Sequence, residues 1–214
     1  MIIVVEKSSD RTLEIARELA AQQADSASCF EVVGNPDQRG KGHAVRTGML
    51  RACGEHVFYM DADLSVPLQE VHGFLRYFEE NPAVGVLVGN RQHAKARITK
   101  AQSWVRRTMG QTFNRILGAM ALSGLRDTQC GFKAFRQEAA QAIFTRQKLD
   151  RFAFDVEVLI LAERLGYQVA DLPVEWINST ESKVRIVRDS VQMLADTVRI
   201  RRLVERTLRE DGRR

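Results

Sequence analysis

The sequence predicts an α/β fold, with a largely parallel sheet flanked by helices. Short apolar runs rich in β-branched residues alternate along the chain with segments whose apolar residues recur at helical spacing. The 214 residues suffice for one substantial core and do not require a second globular domain. With 44% hydrophobic and 28% charged residues, the composition is that of a globular protein and excludes a disordered or collagen-like chain.

Six apolar runs are the predicted strands, because each is short and bounded by turn or capping residues. They cover residues 1–5, 30–33, 56–60, 84–88, 131–135 and 168–176. A glycine-rich loop at residues 34–42 separates the second strand from a helix that begins near His43. A second loop, at residues 61–67, follows the third strand.

The predicted helices lie between these strands. Asp10 and the two serines before it cap a helix that runs to about Gln23. A helix near residue 68 has its apolar residues on one face, and Asn81-Pro82 ends it. The remaining helices are predicted at residues 100–120, 137–145 and 154–165, and from 184 onward.

The last helix divides the chain into a predicted domain at residues 1–183 and a basic amphipathic helix at residues 184–214. Residues 183–214 carry ten Lys or Arg and five acidic residues, which equals the net charge of +5 of the whole chain. Beyond Ile200, arginines interleave with Leu203, Val204 and Leu208, a pattern typical of helices that lie on anionic bilayers. Nucleic acid is not an expected partner, since no recognised binding motif accompanies the charge.

The cysteines and the amino terminus indicate the compartment. Cys29, Cys53 and Cys130 are odd in number and far apart, which favours a reducing cytosol over a disulfide framework or a zinc site. The apolar run at residues 1–5 is too short for a signal peptide or a membrane span. A cytoplasmic location is therefore expected.

Two neighbouring carboxylates are the first candidate site. Asp61 and Asp63 follow the third strand, and open α/β sheets place their ligands at the carboxyl ends of strands. Carboxylate and diphosphate oxygens together are the ligands that Mg²⁺ or Mn²⁺ prefers. Since two aspartates also occur in ordinary solvated turns, the pair alone leaves both interpretations open.

A basic, glycine-rich turn is the second candidate. Residues 39–42 read Arg-Gly-Lys-Gly ahead of a helix, which suits the approach of phosphate to backbone N–H groups. The turn matches neither a dinucleotide-binding fingerprint nor a P-loop. An ordinary basic turn is the alternative.

Seven blocks, taken together, resemble the family 2 glycosyltransferases, and among them the enzymes that act on polyprenyl phosphates. The blocks are Ser8 to Thr12, Arg39 to Gly42, Asp61 to Leu64, Gly89 to Arg91, Asp127 to Lys133, Phe152 to Glu157, and Ser182-Lys183. The run D-T-Q-C-G-F-K at residues 127–133 is the most specific, and the blocks extend to about residue 185.

The resemblance implies a GT-A fold, a UDP-hexose donor, a polyprenyl phosphate acceptor in a membrane, and an inverting displacement that uses Mg²⁺ or Mn²⁺. It implies that Asp61 and Asp63 touch the metal and diphosphate, and that Glu6, Asp10 and Lys41 lie along the donor. It assigns Arg91, Arg106, Lys133 and Lys183 to the acceptor phosphate and the departing diphosphate. A protein of this kind is expected to work as a peripheral protein on the cytosolic membrane face.

Asp127 lies at the position that the resemblance gives to a catalytic carboxylate. A lipid phosphate is largely ionised near neutral pH, with a second pKa of about 6, so the nucleophile needs little help from a base. The alternative is that Asp127 orients Lys133, another cation or the acceptor. Asp155 and Glu157 are expected to support other groups, and Cys130 to be a packed residue.

The chain also departs from the family pattern. Members begin with a further strand that ends in a P-x-Y-N-E-like run, whereas this sequence starts at the next strand. Glu6-Lys7-Ser8 stands where D-G-S is usual. A non-catalytic remnant that binds nucleotide or anionic membrane is therefore the alternative to an active transferase.

Overall fold

The computed structural model describes residues 1–23, 30–91, 127–177 and 186–212, with side chains described from residue 199 in the last segment. The predicted α/β class is confirmed, and most element bounds fall within two or three residues of the prediction. The strands are β1 (Ile2–Glu6), β2 (Glu31–Asn35), β3 (His56–Met60), β4 (Val84–Asn90), β5 (Phe132–Arg136) and β6 (Gln168–Pro173). The helices are α1 (Thr12–Gln22), α2 (Lys41–Arg51), α3 (Glu70–Glu80), α4 (Gln137–Arg146), α5 (Phe154–Arg164) and α6 (Ile186–Asp211). The helix predicted at residues 100–120 lies outside the described residues.

Strand pairing forms two sheets among the described residues. β1 pairs with β2 in parallel, and the second sheet has the order β3, β5, β4, β6. β4 and β6 are parallel, whereas β5 lies between β3 and β4 and runs antiparallel to both. The expected parallel arrangement therefore holds for β1–β2 and β4–β6, with β5 as the exception.

The core lies between the four-stranded sheet and its helices. Every residue of β4 is buried, as expected for a strand covered on both faces. Residues 154–162 of α5 are buried as well, including the charged Asp155 and Glu157. A buried charge is tolerated only when it is paired or hydrogen-bonded, so these two acids point to specific partners.

The carboxyl-terminal half of α6 packs on this core. Ile200 and Val204 are each 1% exposed and belong to the same buried cluster as the sheet. Leu208 packs against that cluster, and Asp211 forms a 2.7 Å ion pair with Arg146 of α4. The prediction that the apolar residues beyond Ile200 face a bilayer is therefore wrong for Val204, because burial against the domain stabilises it more than an interface would.

The opposite face of α6 is basic and accessible. The exposed arginines there are Arg201, Arg202, Arg206 and Arg209. Removal of residues 200–214 would uncover the core, so such a deletion is expected to destabilise the domain. Within the described parts of the chain, none of the helices combines the length and apolar composition of a membrane-spanning segment.

Candidate functional site

The candidate site lies where β1 and β3 end beside the beginning of α2. Glu6, the last residue of β1, accepts hydrogen bonds from the backbone of Arg39 and Gly40, just before α2. Asp61, the first residue after β3, pairs with Lys41, the first residue of α2. The carboxyl ends of both strands therefore meet at one edge. The sequence analysis predicted that Asp61, Asp63 and the basic turn lie at such an edge.

Lys41 and Asp61 form a partly exposed ion pair at this edge. The Lys41 Nζ lies 2.6 Å from Asp61 Oδ1, and the side chains remain 26% and 34% exposed. Burial alone would lower the pKa of Lys41, but the charges of Asp155 and Asp61 outweigh it and raise this pKa. Lys41 is thus a fixed cation with access to a ligand.

Asp63 is exposed two residues further on. Its Oδ1 accepts a 3.0 Å hydrogen bond from the backbone N–H of Ser65, which closes the turn after β3. Leu64, between them, has a positive φ of 51°, a conformation uncommon for a residue with a side chain. The hydrogen bond to Ser65 therefore fixes the Asp63 carboxylate within the turn, and the conformation of Leu64 carries a backbone cost.

The glycines of the basic turn are required by packing. Gly40 has φ 121°, and a Cβ there would lie 2.8 Å from the carbonyl oxygen of Asp150. A Cβ on Gly42 would lie 2.6 Å from the carbonyl oxygen of Leu149. The sequence left phosphate binding and an ordinary basic turn as alternatives for these residues, and the structure adds that the chain after α4 packs directly against both glycines.

The carboxylates of Glu6 and Asp10 both accept hydrogen bonds from backbone N–H groups. The Glu6 carboxylate accepts hydrogen bonds from Asn35 and from the Arg39 and Gly40 amides, and lies 3.3 Å from His43 Nδ1. Burial would raise the pKa of Glu6, but these hydrogen bonds outweigh it and lower it. The exposed Asp10 accepts hydrogen bonds from the Thr12 backbone and hydroxyl at the start of α1.

Arg91 and Asp127 form a bidentate pair beyond the end of β4. Nε and Nη2 of Arg91 donate to the two Asp127 oxygens at 2.7 and 2.8 Å, and the Arg91 backbone N–H also donates at 3.0 Å. The guanidinium lies 4.6 Å from the Trp176 ring centroid. The Arg91 side chain is 25% exposed, whereas the Asp127 side chain is fully buried. Of the roles left open for Asp127, the geometry favours orientation of a cation.

The charge state of Asp127 follows from that pair. Burial would raise its pKa, but the charge and hydrogen bonds of Arg91 outweigh burial and hold the pKa below its ordinary value. Asp127 is therefore an ionised group, committed to Arg91, near neutral pH.

Lys133 is sealed inside the domain. Its Nζ donates to the Cys130 carbonyl at 2.7 Å and to Asp155 Oδ1 at 2.5 Å, and its side chain has no exposed surface. Tyr59 donates its hydroxyl to the same Asp155 oxygen at 2.6 Å. The predicted contact of Lys133 with an acceptor phosphate does not agree with this burial, because Asp155 and a backbone carbonyl already hold the ammonium group.

Three residues that the sequence analysis did not assign to the site form contacts that support it. Asp150 pairs with Arg39 at 2.7 Å, Glu157 accepts two backbone hydrogen bonds, and Tyr59 joins the Lys133 pair. Of these three, only Glu157 carried a signal in the sequence, as an acidic residue on an otherwise apolar helix.

Arg106 and Lys183 lie outside the described residues. Burial raises the pKa of Cys130 to about 12, which agrees with a packed thiol.

The donor set of Asp61 and Asp63 fits a divalent metal in part. Both supply hard oxygen ligands, and the Asp61 carboxylate fills space that Gly131 leaves free, since a Cβ there would lie 1.9 Å from Asp61 Oδ2. No cluster of three or more His, Cys, Asp or Glu side chains that could hold a metal occurs in the described part of the chain. The two carboxylates fit a metal in combination with other hard oxygen ligands, such as those of a diphosphate.

Comparison with known proteins decides the family. The model for glycosyl transferase family 2 matches residues 1–144. The chain belongs to this family. The dolichyl-phosphate beta-glucosyltransferase of Dictyostelium discoideum is 32% identical over 205 residues, which are 94% of this chain and 62% of that protein. The Homo sapiens protein of the same name is 29% identical and is covered to 63%. The chain thus spans less than two thirds of these relatives.

Solved structures support the GT-A-like fold of this family member. A Mycobacterium tuberculosis glucosyl-3-phosphoglycerate synthase, with Mn²⁺, UDP and phosphoglyceric acid, superposes with a TM-score of 0.63 at 17% identity, over 96% of this chain and 66% of that one. Mannosyl-3-phosphoglycerate synthase from Rubrobacter xylanophilus gives a TM-score of 0.53 at 18% identity, over 100% and 74% of the two chains. The predicted family and fold are confirmed.

Proposed function

We propose that this family 2 member transfers a hexose, glucose in the first instance, from a UDP-sugar to a polyprenyl phosphate. The observation that carries the proposal is the convergence of Lys41, Asp61 and Asp63 at one sheet edge, with the Arg91–Asp127 pair after β4 of the same sheet. The curated relatives are named for glucosyl transfer to dolichyl phosphate, which supports both the sugar and the lipid class.

The donor diphosphate is proposed to bind at the start of α2. Lys41 supplies a positive charge there, and the amino terminus of a helix favours anions because its first N–H groups point outward. Glu6 fixes the turn that carries these groups, and Asp10 lies beyond the end of the same strand. Asp61 and Asp63 would hold Mg²⁺ or Mn²⁺ together with diphosphate oxygens, and such an ion stabilises the charge that develops on departing UDP.

The acceptor phosphate is proposed to bind Arg91. Nη1 of its guanidinium is not part of the bidentate pair with Asp127, and the planar guanidinium suits phosphate. Asp127 and Trp176 fix its orientation from two sides. Arg106 and Lys183 remain further candidates for this phosphate, whereas Lys133 supports the site from within through Asp155.

The reaction is a single displacement. A phosphate oxygen of the acceptor forms a bond to the anomeric carbon, the bond from that carbon to the UDP oxygen breaks, and its electron pair leaves with UDP. An ionised phosphate carries no proton that must be removed, so Asp127 is not required as a base. Its role is to hold Arg91 in place, and the configuration at the anomeric carbon inverts.

The lipid acceptor places the reaction at a membrane surface. A polyprenyl chain stays in its bilayer, and we propose that the protein reaches the phosphate from the cytosolic face as a peripheral protein. The exposed arginines of α6 support this, because a basic residue near an anionic surface contributes about 1 kcal/mol of attraction.

A transfer assay tests the proposal directly. UDP-[¹⁴C]glucose is incubated with the chain, Mn²⁺ and polyprenyl phosphate in mixed micelles, and labelled lipid is separated by thin-layer chromatography. We expect a labelled lipid product that forms only when the chain, Mn²⁺ and polyprenyl phosphate are all present, and that does not form with Asp61→Ala. Binding of UDP-glucose without any transfer, also in a version extended upstream, would favour the non-catalytic alternative.

A further inference from the structure

The segment between α4 and α5 packs against the beginning of α2 and forms hydrogen bonds with it. We call this segment the bracing loop (residues 147–153). The backbone N–H of His43 donates to the Asp150 carbonyl at 3.1 Å. The Gln147 side chain donates to the Gly42 carbonyl at 2.9 Å. Since Gly40 and Gly42 have no room for a Cβ against this loop, a shift of the loop must shift the turn that carries Lys41.

Glu157 in turn holds the bracing loop. It lies in the first turn of α5 and is 1% exposed. One carboxylate oxygen accepts the backbone N–H of Lys148 at 2.8 Å, and the other accepts that of Leu149 at 2.8 Å. Both oxygens are thus used as acceptors, which only the deprotonated carboxylate offers in full.

We infer that Glu157 is a positioning residue for the donor, which holds Lys41 and the basic turn in their binding position through the bracing loop as long as its carboxylate is ionised. The inference rests on the proposed donor site. It deepens that proposal by making donor affinity, and not acceptor affinity, depend on a buried acid that touches neither substrate.

The charge of Glu157 changes within the neutral range. Burial raises its pKa to about 7, against the two backbone hydrogen bonds and the nearby charges of Lys148 and Arg46, which lower it. Protonation converts one oxygen to a hydroxyl, which is a much weaker acceptor for the N–H that faces it. Donor affinity is therefore expected to fall as the pH drops through about 7.

Global stability responds to the same group in the opposite direction. The folded-state pKa lies above the ordinary glutamate value of 4.5, so the folded chain binds the proton more tightly than the unfolded chain between pH 4.5 and about 7. On account of Glu157, acidification in this range stabilises the fold while it weakens donor binding. A merely structural role would not separate the two.

The test compares wild type, Glu157→Gln and the control Glu163→Gln, an acid on the same helix α5. Calorimetry measures UDP-glucose affinity with Mn²⁺ at pH 6.0 and 8.0, since UDP-glucose itself does not titrate there. If binding requires the ionised form, wild type and Glu163→Gln should bind about tenfold more weakly at pH 6.0 than at pH 8.0. Glu157→Gln should bind weakly at both pH values. His43 is retained in all three proteins, so a pH dependence that came from His43 would persist in Glu157→Gln.

Amide NMR of the same proteins separates this inference from the proposed function. The Lys148 and Leu149 amide protons should shift with a midpoint near pH 7 in wild type and Glu163→Gln but not in Glu157→Gln. Absent titration, or equal donor affinity of wild type and Glu157→Gln at both pH values, overturns the inference. Intact amide titration without any UDP-glucose binding by wild type would instead refute the proposed donor site, and with it the role of Glu157 toward the donor.

Discussion

Two lysine–carboxylate pairs lie close together in the candidate site, yet they differ in what surrounds them. Lys41 and Asp61 are 26% and 34% exposed, whereas Lys133 and Asp155 are 0% and 2% exposed. Each lysine belongs to one of the blocks that resemble the family, at residues 39–42 and 127–133, and the chemistry of the two side chains is the same. Burial alone separates a cation that can bind a ligand from one that holds the site together.

The largest effect on stability should come from breaking the buried Lys133–Asp155 pair. Lys133→Met leaves the Asp155 carboxylate buried without its cation, and the free energy of unfolding should fall by about 3–5 kcal/mol. Lys41→Met should change it by only about 0–1 kcal/mol, because water screens a partly exposed pair. Urea denaturation measures both.

A double variant sharpens this comparison. Lys133→Met combined with Asp155→Leu removes both charges, so it should be more stable than Lys133→Met alone. Equal losses in Lys133→Met and Lys41→Met would contradict the distinction between the two pairs.

Donor binding should show the reverse order. Lys41→Met should weaken UDP-glucose binding by roughly 10- to 100-fold, since hydrogen bonds to charged groups are worth about 1.5–3 kcal/mol. Lys7→Met is the matched control, because Lys7 is exposed just after β1. Calorimetry with Mn²⁺ provides the affinities, and an unchanged affinity in Lys41→Met would remove this residue from the donor site.

The Arg91–Asp127 pair should show a moderate effect on the acceptor. Arg91→Lys keeps the charge but loses the planar fork, so the acceptor KM should rise about tenfold while the donor KM stays constant. Arg76→Lys, at an exposed position on α3, is the control. If the two KM values rise together, Arg91 does not distinguish acceptor from donor.

The last expected effect concerns the membrane. Arg206→Gln with Arg209→Gln should reduce cosedimentation with anionic vesicles, at about 1 kcal/mol per residue. Arg17→Gln with Arg76→Gln leaves the same net charge and serves as control. Vesicle binding should vanish in 0.5 M salt, where the screening length is roughly 4 Å. Equal binding of both double variants would exclude α6 as the docking element.

Local patterns predicted most of the elements. Apolar periodicity and the residues that bound each run placed β3, β4, α4 and α5 close to their observed limits. The same position-based reasoning placed Asp61 and Asp63 after β3, at the edge where Lys41 lies. These features depend on neighbours along the chain, which the sequence displays.

Contacts between distant segments could not be predicted in this way. Gly42 is needed because Leu149 presses against it, and the partner of Lys133 is an acid 22 residues further on. The apolar residues of α6 have the spacing that fits either a bilayer or a core, and only the packing of Val204 on the domain decides between them. Side-chain burial depends on the whole fold, and it determined which predicted cations are accessible.

The most direct measurement concerns Asp63, the exposed carboxylate of the donor site. Asp63→Asn removes its charge but keeps an oxygen that can accept the Ser65 N–H, so the turn should persist. Calorimetric titration of UDP-glucose is performed on both proteins with and without Mn²⁺. We expect wild type to bind with Mn²⁺ and Asp63→Asn to lose the metal-dependent part of that affinity. Equal metal-dependent affinity in the two proteins would contradict the assignment of Asp61 and Asp63 to the metal and donor diphosphate.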